Sequence, residues 1–227
     1  MLLPYNKLPE RFKTPAVKPY YDILSKKRGS LLLKRITDIF LCTLLLVFLF
    51  IPMIVIAVCV KVNSRGPVLY RQKRVTTYGK TFNILKFRTM VDGADKMGTL
   101  VTGRDDARVT AVGRFLRKYR LDETPQIFNV LSGKMSIVGT RPEVLKYVEK
   151  YTDVMYATLL MPAGITSLAS IKFKDEEKLL DNSANIDEDY VNKILPQKMR
   201  YNLKYISRFG FRRDLYLMLK TVKEVIS

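Results

Sequence analysis

The sequence predicts an α+β fold, mainly helical, in which a kinked, re-entrant membrane helix carries amphipathic interfacial helices and a cytosolic domain with a small β-hairpin. Three observations predict it. Ile39 to Val60 is an uncharged apolar run of 22 residues, long enough as a helix to cross a hydrocarbon core of about 30 Å. Two strand-like segments, 67–71 and 81–89, flank the turn residues Thr77, Tyr78, Gly79 and Lys80, the pattern of a hairpin. Between 107 and 119, Val109, Val112, Phe115 and Leu116 fall at helical spacing beside Arg114, Arg117 and Lys118, as in a basic helix lying on a membrane surface.

Composition narrows the chemistry. With 227 residues, 48% hydrophobic and 27% charged, the chain holds a sizeable core and is neither disordered, collagen-like nor a disulfide scaffold. Forty Lys and Arg against 21 Asp and Glu give a net charge of +19, which implies a polyanionic partner: an acidic membrane surface, phosphorylated substrates or nucleic acid. Histidine is absent. A His-bearing zinc site and a Ser-His-Asp triad are thereby excluded, and reactive chemistry falls to carboxylates, Lys, Tyr, Ser or Thr. Cys42 and Cys59 both lie in the apolar run, which argues against a disulfide or thiolate metal site and for a reducing setting. No glycine-rich dinucleotide fingerprint is present.

The elements follow in order. Residues 1–33, with four prolines, several aromatics and scattered cations, read as an irregular interfacial segment. The membrane helix is placed at 34–61. A signal peptide fits poorly, because the run starts far from Met1 and Val60-Lys61-Val62-Asn63 lacks a small-residue cleavage site. Lys26, Lys27, Arg28, Lys34 and Arg35 precede the run, and Lys61, Arg65, Arg71, Lys73 and Arg74 follow it, so both ends are expected on the cytoplasmic side. Pro52 removes a helical hydrogen bond and crowds the preceding turn, which makes it the expected kink. A helix-break-helix dipping into one leaflet satisfies both observations; a single-pass span with a tolerated proline is the alternative.

Residues 62–227 make the cytosolic domain. Arg71, Lys73, Arg74, Lys80, Lys86 and Arg88 stud the hairpin, either as a phosphate or headgroup surface or as a charged edge that discourages aggregation. A short helix is expected to begin at Asp122 or Thr124, with Pro125 in its first turn and Gly133 as its stop. Residues 172–189 read as an exposed, variable loop, and 187–227 as a helical pair interrupted at Pro196 and Gly210.

Asp122 and Glu123 are the adjacent carboxylates to explain. They either cap the following helix, or are held ionised by its dipole and by Arg117, Lys118 and Arg120 to attack phosphorus or bind Mg²⁺. Adjacency leaves both open.

The longer strings are more specific. RLDETPQIFNVLSGKMSIVGTRPE at 120–143, DDARVTAVGRFLR at 105–117, KRITDIF at 34–40, GPVLYRQKRV at 66–75 and GKTFNILKFRTM at 79–90 together resemble the bacterial sugar transferase family. These are the small monotopic phosphoglycosyl transferases that act on polyprenyl phosphate. The likeness covers roughly residues 31–170 plus a looser C-terminal part, a span far more specific than a short glycine motif. It implies a monotopic enzyme on the cytoplasmic membrane that moves sugar-1-phosphate from a UDP-sugar to polyprenyl (undecaprenyl) phosphate. UMP would be released, and a surface glycan (exopolysaccharide, capsule, O-antigen or glycoprotein glycan) would be started.

By the same resemblance, Asp122 is the nucleophile of a covalent phosphosugar intermediate and a Mg²⁺ ligand, and Glu123 is its catalytic partner. Arg141 holds a phosphate, and Lys86 and Arg88 are further substrate-binding positions. Mg²⁺ is the implied cofactor. Downstream glycosyltransferases and a second copy of the chain are candidate partners, and nucleic acid is not one. The physics agrees: attack of one anion on another requires cations that neutralise phosphate oxygens.

Three departures stand out. Thr140 replaces the first proline of the family's Gly-Pro-Arg-Pro. Ile51 replaces the small residue, often Ser, before the membrane proline, so no hydroxyl helps satisfy a broken backbone there. Pro162-Ala163-Gly164-Ile165-Thr166-Ser167 stands where the family has Pro-Gly-Ile-Thr-Gly, which changes the loop at the sugar-nucleotide end. The rival functions are a membrane glycosyltransferase releasing UDP and a non-enzymatic, membrane-tethered binder of anionic polymers, whose affinity would fall steeply with salt.

Overall fold

The computed structural model describes residues 2–94, 106–173 and 185–226. Short 3₁₀ turns at Tyr5–Lys7 and Glu10–Phe12 lead into helix α1, Lys18–Ser25, with Pro19 in its first turn, where a proline suits the helix. Leu8, Phe12, Val17 and Leu24 are buried in the main core. Tyr78 Oη accepts the Leu3 N–H at 2.8 Å, and Tyr21 donates to the Leu3 carbonyl at 3.0 Å. The segment expected to be irregular and interfacial is thus a belt packed on the body. Its apolar residues are spaced by prolines rather than by a helical period, which hid their common face.

Helix α2, Arg28–Asn63, has 36 residues, about 54 Å at 1.5 Å per residue. It begins at Arg28 rather than at the expected residue 34, and Lys34 is buried within it rather than a flanking charge. Lys34 Nζ donates to Asp214 and to the Val138 carbonyl, each at 2.7 Å, and Asp38 accepts from Ser136 Oγ at 2.6 Å and Ile137 N at 3.2 Å. The helix continues through Pro52 as one element, where the sequence predicts a break. Cys42, Leu46, Leu49, Met53, Ile56, Ala57 and Val60 form one stripe along it, on both sides of Pro52, and pack on the body. The opposite side, including Phe40, Val47, Phe48, Ile51 and Val58, is exposed.

Strands β1, Leu69–Val75, and β2, Thr81–Phe87, pair antiparallel around the expected turn, with Tyr70 opposite Lys86. Helix α3, Ala111–Lys118, is shorter than the apolar spacing implies: the Thr110 side chain caps it by accepting from Gly113 N, and Val109 instead bridges to Met90. Helix α4, Gln126–Leu131, stops before Gly133, whose φ of 76° suits a glycine. Strands β3, Met135–Val138, and β4, Ala163–Thr166, pair in parallel, joined through α5, Leu145–Val148, and a 3₁₀ turn, as a parallel pair requires.

The rest is helical. Helix α6, Leu168–Lys172, precedes α7, Ile186–Asp189, which passes through a π turn into α8, Leu195–Ser207. Pro196 therefore lies in the first turn of α8 rather than interrupting a helix. Gly210 separates α8 from α9, Phe211–Ile226. Of the expected variable loop at 172–189, residues 174–184 lie outside the described residues.

The buried Lys34–Asp214 pair ties α2 to α9, and Tyr205 Oη adds a bond to Asp214 at 2.7 Å. Lys34→Met leaves Asp214 charged without its cation, so a loss of roughly 3–5 kcal/mol is expected, read as a lower melting temperature of the detergent-solubilised protein.

Candidate active site

Strand alternation sorts the hairpin's cations. Tyr70, Gln72 and Arg74 share one face of β1 and line a cavity of about 500 Å³, while Arg71 and Lys73 point outward and are exposed. The cavity is also lined by Lys86, Arg88, Arg108, Arg117, Arg120 and Arg141. The cationic hairpin is therefore two surfaces, and only one faces this cavity.

Asp122 and Glu123 reach it from a 3₁₀ turn, Leu121–Glu123, between α3 and α4. Arg120, at φ 54°, turns the chain there in the left-handed region that non-glycine residues seldom adopt. Neither carboxylate caps α4, whose N-cap position is Pro125 without a side-chain hydrogen bond. The capping alternative is not the one adopted.

Glu123 is clamped. Lys86 Nζ donates to Oε1 at 2.8 Å, and the Arg141 guanidinium donates to both oxygens. Burial pushes the Glu123 carboxyl up, but Arg141 and Lys86 outweigh it and hold the group well below the usual carboxylate range. Asp122, 8% exposed, is different: burial pushes its carboxyl up, Lys86 and Arg117 pull it down, and the charge of Glu123 adds to the rise. Lys86 is itself lowered by burial, against the pull of Glu123. Two neighbouring carboxylates are thus driven in opposite directions, as at sites where one holds position and the other reacts.

Arg88 is placed differently from Lys86. It is buried, and its Nη2 donates to the carbonyl and hydroxyl of Ser64, just beyond α2, at 2.7 and 2.9 Å. Among the described residues its Nε and Nη1 have no partner, so it joins the end of α2 to the cavity wall with donors to spare. Gly66, at φ +116°, leaves room for it: a Cβ there would lie 2.4 Å from Arg88 Nη1. Gly66→Ala should displace Arg88 and lower activity about tenfold while costing about 1–3 kcal/mol of stability, measured by turnover and thermal melting.

Among the described residues no cluster of three or more His, Cys, Asp or Glu is placed to hold a metal ion. The donor set nevertheless suits Mg²⁺, which is bound through one or two carboxylates with substrate phosphates and water as its other ligands. Asp122 is the carboxylate with oxygens to offer, since both oxygens of Glu123 are taken by Arg141 and Lys86.

The hairpin, the Asp-Glu turn and the long apolar helix surround a cavity rich in Arg and Lys, whose charge favours anionic ligands. The family model described as bacterial sugar transferase matches residues 29–227, and the chain belongs to that family. It is 36% identical over 222 residues to the UDP-glucose:undecaprenyl-phosphate glucose-1-phosphate transferase of Escherichia coli (strain K12), covering 96% of this chain and 45% of that protein. It is 33% identical over 200 residues to the UDP-N-acetylgalactosamine-undecaprenyl-phosphate N-acetylgalactosaminephosphotransferase of Aeromonas hydrophila, covering 86% and 44%. With the uncharacterized sugar transferase EpsL of Bacillus subtilis (strain 168) it shares 31% identity over 196 residues, covering 86% and 88%. The chain thus spans under half the length of the first two relatives.

The structure brings Asp122, Glu123, Lys86, Arg88 and Arg141 to one cavity, whereas Pro52 lies in α2 and does not line it. Sequence reasoning named Arg74 only among the hairpin cations and missed Tyr147, Tyr190 and Lys198 as lining residues, along with Glu143. Glu143 was within reach as the last residue of the motif that carries Arg141; nothing local marks Tyr190 or Lys198, which the tail helices bring in.

Proposed function

We propose that the chain transfers sugar-1-phosphate from a UDP-sugar to undecaprenyl phosphate on the cytoplasmic side of the membrane, through a covalent intermediate on Asp122. The observation that carries this is Asp122 itself: a buried carboxylate on the wall of a cavity rich in Arg and Lys, beside a Glu123 already committed to Lys86 and Arg141. An Asp122 oxygen attacks the phosphorus that bears the sugar. The bond to the bridging oxygen breaks, and UMP leaves with the electron pair. An oxygen of undecaprenyl phosphate then attacks the aspartyl-bound phosphorus, releases the Asp122 carboxylate and forms the diphosphate-linked sugar lipid.

Glu123, held ionised, positions Lys86 and Arg141, whose cations neutralise the phosphate oxygens as charge shifts. Mg²⁺ held at Asp122 would supply further neutralisation of phosphate charge. The product is read as the first lipid-linked sugar of a surface glycan.

The helix stripe supports a one-leaflet placement. From Cys42 to Val60, about 27 Å of α2 packs on β1, β2, α3 and α4, so a straight crossing would drag those elements into hydrocarbon. The exposed side of α2, with Phe115 and Tyr119 on α3 and Leu215, Leu219 and Val222 on α9, is apolar surface suited to a bilayer interface. Cysteines introduced at Arg28 and Arg71 should both be labelled from the cytoplasmic side; labelling from opposite sides would rule this placement out.

Product identity tests the reaction. Purified protein given Mg²⁺, undecaprenyl phosphate and a panel of UDP-sugars should release UMP only when the lipid phosphate is present. Release of UDP would mean a glycosyltransferase, and silence from folded protein across the panel would favour a binding module.

A further inference from the structure

The cavity has lining residues that the proposed chemistry does not use, among them Gln72, Arg74, Glu143, Tyr147, Tyr190 and Lys198. They include a buried charged group: Glu143 is 6% exposed and Lys198 5%. Tyr190 Oη donates to Glu143 Oε1 at 2.7 Å, and Lys198 Nζ donates to the same oxygen at 3.2 Å. Among the described residues no hydrogen bond reaches the other oxygen, Oε2. Arg74 lies alongside, with Nη1 on the Pro142 carbonyl at 3.1 Å and Nε and Nη2 on Gln72 Oε1.

Oε2 is not one of the buried side-chain atoms left without a partner, so it opens to the cavity with acceptor capacity to offer. Tyr190 and Lys198 both donate to Oε1 and orient the carboxylate, leaving Oε2 as the acceptor for whatever enters the cavity. Burial pushes the Glu143 carboxyl up, and Lys198 and Arg74 outweigh it and hold the group ionised. An ionised carboxylate repels a phosphate and accepts hydrogen bonds from hydroxyl groups, and such charge-assisted bonds are among the stronger ones. Arg141, two residues before Glu143, lines the same cavity and is the residue proposed above to neutralise phosphate.

The geometry points to Glu143 as the residue that recognises hydroxyl groups of the sugar-nucleotide donor, accepting from a vicinal diol adjacent to the phosphates. This rests on the donor being a nucleoside diphosphate sugar, as proposed above. Ribose and hexose both present such a diol, and the arms of the test separate them. Tyr190 and Lys198 are positioning residues that act through Glu143.

The experiment is a cycle of protein and ligand variants on the full chain in detergent. Equilibrium binding is measured for UDP against 2′-deoxy-UDP, and for a UDP-hexose against the same molecule lacking its 2-hydroxyl. Wild type should prefer one hydroxylated ligand about tenfold. Glu143→Gln should reduce that preference to near unity, raise the donor KM about tenfold and leave the KM for undecaprenyl phosphate unchanged. A general disturbance of the fold would weaken both members of a pair and preserve their ratio.

Loss of preference in the UDP pair assigns the diol to ribose, and loss only in the UDP-hexose pair assigns it to the hexose. Glu143→Asp, which keeps the charge beside Lys198 but withdraws the carboxylate by one methylene, should lose the preference as well. Equal affinity of wild type for both members of both pairs would overturn the inference, as would a preference that survives in Glu143→Gln. Wild type that binds no UDP or UDP-hexose at all would overturn the donor reading and this inference with it, whereas binding without discrimination overturns the inference alone.

Discussion

Asp122→Asn should lower lipid-dependent UMP release by about 10³-fold or more, as expected when a covalent nucleophile is removed, while leaving the protein as stable as before or slightly more so. The two halves of this expectation have different causes. Activity is lost because an amide oxygen cannot displace UMP from phosphorus and form the intermediate. Stability is kept because burial penalises the charged form of Asp122: its folded pKa lies above the ordinary value, so above that pKa its ionisation weakens the fold, and a neutral isostere removes the penalty. Melting temperature and turnover measured on the same preparation check both. A stability loss matching the activity loss would make Asp122 a structural residue. The intermediate has a direct readout as well: wild type given a UDP-sugar without lipid should gain the mass of one sugar phosphate, and the variant should not.

Glu123→Ala has the opposite signature. It strips the shared counter-ion from Lys86 and Arg141, whose ion pairs with Glu123 are largely buried. A stability loss of roughly 3 kcal/mol is expected, together with a fall in kcat of about 100-fold as the two cations lose their position. The pH dependence follows from the depressed folded pKa of Glu123. Its contribution to stability is fully present above the unfolded carboxylate value and is lost as pH falls through the folded value. Wild type should therefore hold its melting temperature from neutral pH to mild acid and decline only in strong acid. Glu123→Gln should start lower and show a flatter acid limb. A variant as stable as wild type at neutral pH would mean that the clamp contributes no net stability.

The Asp122-Glu123 pair was legible in the sequence as the candidate for the chemistry, because it sits in a long family string and no histidine competes with it. Lys86 and Arg141 were legible as cations of the same family strings. Their clamp on Glu123 was not, since it joins residues 37 and 18 positions away through the packing of β2 and the loop after β3 against the Asp-Glu turn. Arg88 looked equivalent to Lys86 from its place in the same short motif. Strand direction decides otherwise: beyond the end of β2 its guanidinium meets Ser64 and ties down the end of α2.

Charge misled at the apolar helix. Lys34 reads as a flanking cation under the positive-inside rule, yet it is buried against Asp214, 180 residues later. The N-terminal prolines obscured a belt whose apolar residues meet the main core.

The sequence by itself determined the apolar helix, the hairpin, the adjacent Asp-Glu pair and the family, because hydropathy, turn residues and long motifs are local properties that a chain carries wherever it folds. Only the tertiary structure decided which cations face the cavity, which carboxylate is held ionised and where Glu143 finds Tyr190 and Lys198. Burial and the charges brought alongside a group set its protonation and its partners, and both are created by long-range packing.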